Sequence, residues 1–357
     1  MERILYILLV ILLFGVMIAI HEFGHFLTAK LFQVKVNEFA IGMGPVLWSR
    51  QRGETQYSLR AFPIGGFCAM EGEDEDTGDP RAFSQQAAWK RIIILCAGSF
   101  MNFLMGLVIV LLLYSGVSAV REPVITDFAP GFAVEGEDGL MVGDRIVSVD
   151  GHGIWVYNDV LTYLARNDGQ GIDLVVERDG QRLSLEDLPM GRYEYEYEGQ
   201  TNVGFGLIFG QVQELGVLDK LREGFLITVD FVRTVWISLG DLVTGRVGVD
   251  QMSGVIGIVD VVSEMGAQSA SWVDGVLNVF YFMALIAVNL AVMNLLPIPA
   301  LDGGRVVGLL ITTAIEAVTR KKVNPKYEGY IHGAGMLLLL GLMAVILFKD
   351  VFTIFKG

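Results

Sequence analysis

The chain has 357 residues, of which 53% are hydrophobic and only 18% are charged, and its formal net charge is −14. This composition is typical of an integral membrane protein. The acidic balance argues against a nucleic-acid partner, because phosphate binding needs a basic face, and the two cysteines, Cys68 and Cys96, provide no disulfide framework.

Four apolar runs predict four transmembrane helices, because a span needs about 20 apolar residues. The runs are Ile4–Ile20, where helix can continue to about Leu31, then Ile92–Val120, Gly275–Leu301 and Gly333–Phe348. A cleaved signal peptide is the alternative for the first run, but no small-residue cleavage motif follows it. The loops 30–91 and 305–326 are rich in lysine and arginine, so the positive-inside rule places both in the cytoplasm and residues 121–271 outside.

The first span ends in a group of ionisable residues, His21-Glu22-Phe23-Gly24-His25. This is the pattern H-E-x-x-H, in which helical spacing puts both histidines on one face, where they can bind one metal ion. Glu22 projects beside them and can act as a general base. A polar helix end that faces lipid headgroups is the alternative, but ionisable groups inside a bilayer are costly and are usually functional.

A hairpin is predicted after the first span. Its strands are Val46–Ser49 and Thr55–Arg60, and they flank the turn Gln51-Arg-Gly-Glu54. The free edge of such a hairpin can pair with an extended peptide by strand addition. An ordinary cytoplasmic hairpin without that role is the alternative.

The external segment 122–210 is predicted to form a small β-rich domain. It contains a helix over 158–167, a hairpin of 171–177 with 181–185, and a closing strand over 204–209. Residues 218–243 are apolar but carry charged side chains throughout, which is typical of an amphipathic helix on a membrane surface. A fifth membrane span is the alternative for this stretch.

The third span ends in Asn294-Leu-Leu-Pro-Ile-Pro-Ala-Leu-Asp302, followed by two glycines. The prolines break the helix and let the carboxylate of Asp302 turn inward, at the depth of the two histidines. A catalytic zinc ion takes three protein ligands, and Asp302 is a better third ligand than Glu38 or His332, although it could also be a plain turn residue. Asn294 could donate to a developing oxyanion or to the substrate, or form a hydrogen bond between helices.

The two motifs, H-E-x-x-H and N-x-x-P-x-x-x-L-D-G, together resemble those of the site-2 protease family of intramembrane zinc metalloproteases. The order of elements is similar to the bacterial, RseP-like branch, in which a PDZ-type domain lies between the second and third spans. The resemblance covers almost the whole chain. It implies that His21, His25 and Asp302 bind one zinc ion, that Glu22 activates water, and that Asn294 assists the substrate or the transition state.

The resemblance extends to two further segments and has one departure. Residues 41–70 are similar to the family's membrane-associated β-hairpin, and the expected substrate contacts there are Arg60, Gly65, Gly66 and Phe67. Residues 140–151 are similar to the core of PDZ domains, which bind peptides at a sheet edge; a passive plug that excludes folded proteins is the alternative role. A single PDZ-type domain is expected. The departure is Ser99, where relatives usually have proline.

The predicted fold is a multi-pass α-helical membrane protein with four transmembrane helices, a membrane-associated β-hairpin and an inserted extracytoplasmic PDZ-like domain. Its parts are a first membrane half (1–120), the PDZ-like domain (121–210), an amphipathic surface segment (211–271) and a second membrane half (272–357).

The predicted function is that of a zinc metalloendopeptidase of the cell membrane, acting near the cytoplasmic face on single-pass membrane proteins in regulated intramembrane proteolysis. The resemblance implies anti-sigma factors or remnant signal peptides as substrates. A non-catalytic peptide-binding adaptor and a metal transporter are the alternatives, and other divalent ions could take the place of zinc.

Overall fold

The computed structural model describes residues 2–73, 77–167, 171–197, 199–248, 254–320 and 325–356, with the backbone alone for 63–64, 325–328, 332 and 351–356. The side chain of His332 therefore lies outside the described part. The chain forms two compact units, one of residues 1–110 and 231–357 and the other of residues 111–230. The domain boundaries predicted from the sequence stay predictions.

The described part contains helices and strands in the following chain order: α1 (Glu2–Leu31), β1 (Val36–Arg52), β2 (Thr55–Met70), α2 (Ala88–Ser115), β3 (Ala119–Arg121), β4 (Asp127–Phe128), β5 (Arg145–Val149), β6 (His152–Gly153), α3 (Tyr157–Ala165), β7 (Ile172–Arg178), β8 (Gln181–Leu188), β9 (Tyr193–Tyr197), β10 (Gln200–Gly204), β11 (Leu207–Ile208), β12 (Val212–Glu214), α4 (Val217–Thr244), α5 (Val255–Ala267), α6 (Trp272–Asn294), α7 (Asp302–Thr319) and α8 (Pro325–Lys356). Among the described residues, four helices are long and apolar enough to cross a membrane, namely α1, α2, α6 and the Gly329–Asp350 part of α8. They correspond to the four predicted spans.

Helix α1 buries one stripe of side chains in the first unit. Tyr6, Val10, Leu13 and Met17 are at most 8% exposed and form a core with residues of α5 and α6. Their spacing of three and four residues is that of one helix face, and the same face continues to the histidines of the H-E-x-x-H motif. The histidines therefore point into the helix bundle rather than outward.

The structure corrects the ends of two predicted spans. Helix α2 ends at Ser115, and part of the remaining predicted run forms β3. Helix α6 ends at Asn294, so residues 295–301 form a turn and Asp302 begins the separate helix α7 instead of ending the third span. The prolines in this turn cannot continue a helical hydrogen-bond ladder, which explains the early end of α6.

The hairpin strands are longer than the predicted Val46–Ser49 and Thr55–Arg60: β1 begins at Val36, before the 41–70 hairpin expected from the resemblance, and β2 ends at Met70 as expected. Residues 38–41 of β1 face residues 66–69 of β2 in antiparallel register. The same four residues also pair with residues 56–59, and this second pairing is in parallel register. The beginning of β1 therefore lies between two segments of β2, and segment 66–69 is left at the edge of the described sheet.

The second unit contains a four-stranded sheet in the order β6–β5–β7–β8 together with α3. The predicted hairpin is confirmed as β7 and β8, and the predicted helix as α3. The predicted closing strand is wrong as one element: β10 ends at Gly204, and β11 is a separate short strand paired with β4. The similarity of this unit to PDZ domains stays a prediction.

The amphipathic stretch predicted over 218–243 is a single helix, α4. It is absent from the candidate spans found among the described residues, which disfavours the alternative of a fifth span. Its location on the membrane surface stays a prediction.

Candidate metal centre

Three side chains of the first unit bring their ligand atoms together. Nε2 of His21 and Nε2 of His25 are 3.2 Å apart, and they lie 3.2 and 3.4 Å, respectively, from Oδ2 of Asp302. Both histidines are buried, at 8% and 7% exposure. Among the described residues, this is the one group of histidine, cysteine and carboxylate side chains whose spacing suits a metal ion.

The geometry of these atoms fits a zinc ion. Tetrahedral zinc with bonds of 2.0–2.2 Å places its ligand atoms about 3.3–3.6 Å apart, close to the observed spacing. Nδ1 of His25 lies 2.8 Å from the carbonyl oxygen of Ile94, which can only accept, so Nδ1 donates. In the neutral ring Nε2 then carries the lone pair, and this atom faces Asp302. Oδ2 of Asp302 is buried and receives no hydrogen bond. Converging lone pairs of this kind are favourable around a cation.

The turn before α7 aims Asp302 at the histidines. A Cβ on Gly303 would overlap the carbonyl of Leu295, and a Cβ on Gly304 would overlap that of Ile298, so the turn folds directly onto the backbone of this segment. Ala300 adopts a left-handed φ of 79°, which is strained for a residue with a side chain. Asp302 is thus both a turn residue and a member of the site, and the two glycines allow the close approach.

The edge segment of the hairpin passes directly beside Glu22. A Cβ on Gly66 would lie 3.2 Å from Cγ of Glu22 and 3.0 Å from the carbonyl oxygen of Ala40. Gly65 has a φ of 103°, and Phe67 follows on the same segment. Three of the four predicted substrate contacts therefore lie on the strand segment next to the predicted general base.

Arg60, the fourth predicted contact, is engaged inside the hairpin. It donates to the carbonyl of Gly44 at 3.0 Å and to Glu38 at 2.8 Å, and its guanidinium carbon lies 4.9 Å from the ring centroid of Phe67. Burial acts to raise the pKa of Glu38, but the hydrogen bonds from Ser58 and Arg60 outweigh it and lower that pKa. Glu38 is thus hydrogen-bonded within the hairpin, by Ser58 and Arg60, and is not part of the metal-ligand group.

Helix α2 contributes two residues whose roles the sequence did not reveal. A Cβ on Gly98 would lie 2.7 and 2.8 Å from atoms of His21 and would overlap Nε2 of His25, so glycine there makes room for both rings. The amide nitrogen of Asn102 lies 3.3 Å from Nδ1 of His21, and Asn102 is fully buried. The available signal was an asparagine within an apolar span, which is costly without a partner.

Asn294 is the last residue of α6 and is half-buried. Within the described part of the chain, its side chain makes no hydrogen bond to the two histidines or to Asp302. Its catalytic role stays a prediction.

Residues 9–342 match the family model of peptidase family M50. A protein of Clostridium acetobutylicum named as a zinc metalloprotease is 36% identical over 97% of this chain and 97% of its own length. A similarly named protein of Clostridium perfringens is 34% identical over 97% of this chain and 98% of its own length. The Bacillus subtilis protein named regulator of sigma-W protease RasP is 28% identical over 97% of this chain and 98% of its own length.

These matches cover nearly the whole chain, and they agree with a site of two histidines and an aspartate on apolar helices. The chain therefore belongs to peptidase family M50, the site-2 protease family, and is a zinc metallopeptidase of the membrane.

Proposed function

We propose that this peptidase hydrolyses peptide bonds within the transmembrane segments of single-pass membrane proteins. The observation that carries the proposal is the convergence of His21, His25 and Asp302 on the buried face of a membrane-length helix, next to Glu22. A site on that face is reached by a substrate that lies in or near the bilayer.

In this proposal His21, His25 and Asp302 hold the zinc ion. The bound ion supplies a Lewis acid that polarises the scissile carbonyl and makes water more acidic. Glu22 takes a proton from the attacking water onto its carboxylate and later returns it to the leaving amine. Asn294 donates its amide hydrogen to the developing oxyanion or to the substrate backbone.

The hairpin edge presents the substrate in this proposal. A helical peptide is a poor substrate because its carbonyls are already hydrogen-bonded, so it must unwind before attack. Segment 66–69 then pairs with the extended chain by strand addition, which places the scissile bond beside Glu22. Exposed apolar side chains at the far end of the hairpin, including Leu47, Trp48 and Phe62, support its contact with lipid.

The proposed orientation follows the positive-inside rule. The metal centre lies near the cytoplasmic face, the PDZ-like domain lies outside as a size filter or docking site, and α4 lies on the outer membrane surface. Anti-sigma factors and remnant signal peptides are the proposed substrates. The Bacillus subtilis relative is named regulator of sigma-W protease RasP, and this name favours the first.

The test is cleavage of tagged single-pass substrates, with their outer domains removed, in membranes that contain the full chain. Wild type should cut them, Glu22→Gln should not, and a zinc chelator should stop the wild type. Glu264→Gln makes the same substitution at an exposed position of α5 and should cut like wild type. A wild type that binds zinc and cuts no substrate would overturn the proposal.

A further inference from the structure

We propose that Asn102 is a positioning residue for His21, and that its side-chain oxygen accepts the Nδ1 hydrogen of that histidine. This inference rests on the proposed metal centre. Asn102 is fully buried in α2, and its amide lies 3.3 Å from Nδ1 of His21. Asn102 belongs to neither the H-E-x-x-H motif nor the L-D-G motif.

One face of α2 supports both histidine rings. Ile94, Gly98 and Asn102 are spaced four residues apart, so they follow one another along a single helix face. The carbonyl of Ile94 meets Nδ1 of His25 at 2.8 Å, Gly98 lies against both rings, and Asn102 meets Nδ1 of His21. Asn102 thus does for His21 what a backbone carbonyl does for His25.

Metal-binding histidines depend on such partners. A histidine that binds through Nε2 carries its hydrogen on Nδ1, and an acceptor there fixes the tautomer and the ring orientation. Oδ1 of Asn102 is buried and makes no hydrogen bond when the amide nitrogen faces His21. A 180° rotation of the amide group about its terminal side-chain bond exchanges the oxygen and the nitrogen, so that Oδ1 accepts from Nδ1 of His21.

The opposite orientation has the opposite consequence. An amide nitrogen that donates to Nδ1 would place the hydrogen of His21 on Nε2, the atom that faces His25 and Asp302. That hydrogen would compete with a metal ion. Removing the amide would then strengthen metal binding, whereas removing an acceptor would weaken it, so the sign of the effect separates the two arrangements.

The experiment measures Zn²⁺ affinity by chelator competition on the purified full chain. Asn102→Leu should lower the affinity about 10- to 100-fold, and Asn102→Asp, which still accepts, should stay within about threefold of wild type. Ser99→Ala is the matched control, because Ser99 is also fully buried on α2 and its hydroxyl makes no hydrogen bond in the described structure. It should leave the affinity unchanged.

The outcomes distinguish this inference from the proposed function. Unchanged or higher affinity in Asn102→Leu, or an equal loss in Asn102→Asp, overturns the acceptor role. A wild type that binds no zinc overturns both the inference and the proposed metal centre. If Asn102→Leu does not fold, as judged by thermal unfolding, Asn102→Ala carries the same expectation with less added bulk. For the folded variants, kcat per protein should fall together with zinc occupancy at limiting zinc, while KM for a test substrate stays constant.

Discussion

The substitution Gly98→Ala tests whether α2 approaches the metal centre as closely as the structure shows. Alanine is better than glycine in a helix by about 1 kcal/mol, so helix propensity alone favours the variant. A Cβ at this position would lie 2.7 Å from Cε1 and 2.8 Å from Nε2 of His21, and would overlap Nε2 of His25. We therefore expect a folded protein with weakened zinc binding.

The magnitude follows from the contact distances. Ordinary contacts of a Cβ begin at 3.4 Å, so the ring of His21 must move by about 0.6–0.7 Å. Metal–ligand distances tolerate only about 0.2 Å, and overpacking a filled interior costs about 1–3 kcal/mol. A loss of about 10- to 100-fold in zinc affinity, or about 1.4–2.7 kcal/mol, is expected.

The assay is chelator competition for Zn²⁺ with purified protein, followed by cleavage of a test substrate. Gly341→Ala is the matched control, since a Cβ on this glycine of membrane helix α8 meets nothing within 4 Å. It should bind zinc like wild type. Wild-type affinity in Gly98→Ala would refute the close approach of α2 to the two histidines.

Two further predictions concern ionic contacts away from the metal centre. Hydrogen bonds from Asn37 and Lys35 lower the pKa of Glu71 to about 2, so the stabilisation that this contact gives to the base of the hairpin should be fully present above pH 4.5 and should be lost as the pH falls from 4.5 toward 2. The rate of limited proteolysis in the hairpin, measured as a function of pH, should rise over this pH range in wild type and should not rise in Glu71→Gln. Arg178→Met removes the two hydrogen bonds of 2.8 Å that Arg178 donates to the fully buried carboxylate of Asp144 and leaves that charge unpaired, so it should destabilise the second unit by about 3–5 kcal/mol. Hydrogen exchange of the full chain measures that loss, and the double variant with Asp144→Leu should recover much of it.

The sequence predicts the site best where the signal is local. Residues four apart on a helix share a face whatever surrounds them, so the spacing of His21 and His25 is sufficient to place them together. The prolines and glycines around Asp302 mark a turn by their own backbone chemistry. What the spacing did not show is that the turn separates two helices, because proline indicates where a helix stops and not where the next one begins.

The remainder depends on contacts between distant segments. The two strands of the hairpin were predicted too short because the early part of β1 pairs with two segments of β2, and neither alternation nor turn residues encode that pairing. The contribution of α2 was missed for a related reason. An apolar helix shows which residues are small or polar, but the crossing of two helices decides which of these meet a site on its neighbour.

The candidate metal centre is an extension of ordinary helix packing. On α1 the buried stripe passes from apolar side chains to His21 and His25 without changing its face, and a Cβ on Gly24 would overlap the carbonyl of Ala97 on α2. With Gly98 on the facing helix, this close approach brings α2 within hydrogen-bonding distance of both rings. The same contact that packs the two helices therefore orients the histidines, so a substitution that separates α1 from α2 should lower zinc affinity even when every ligand is retained.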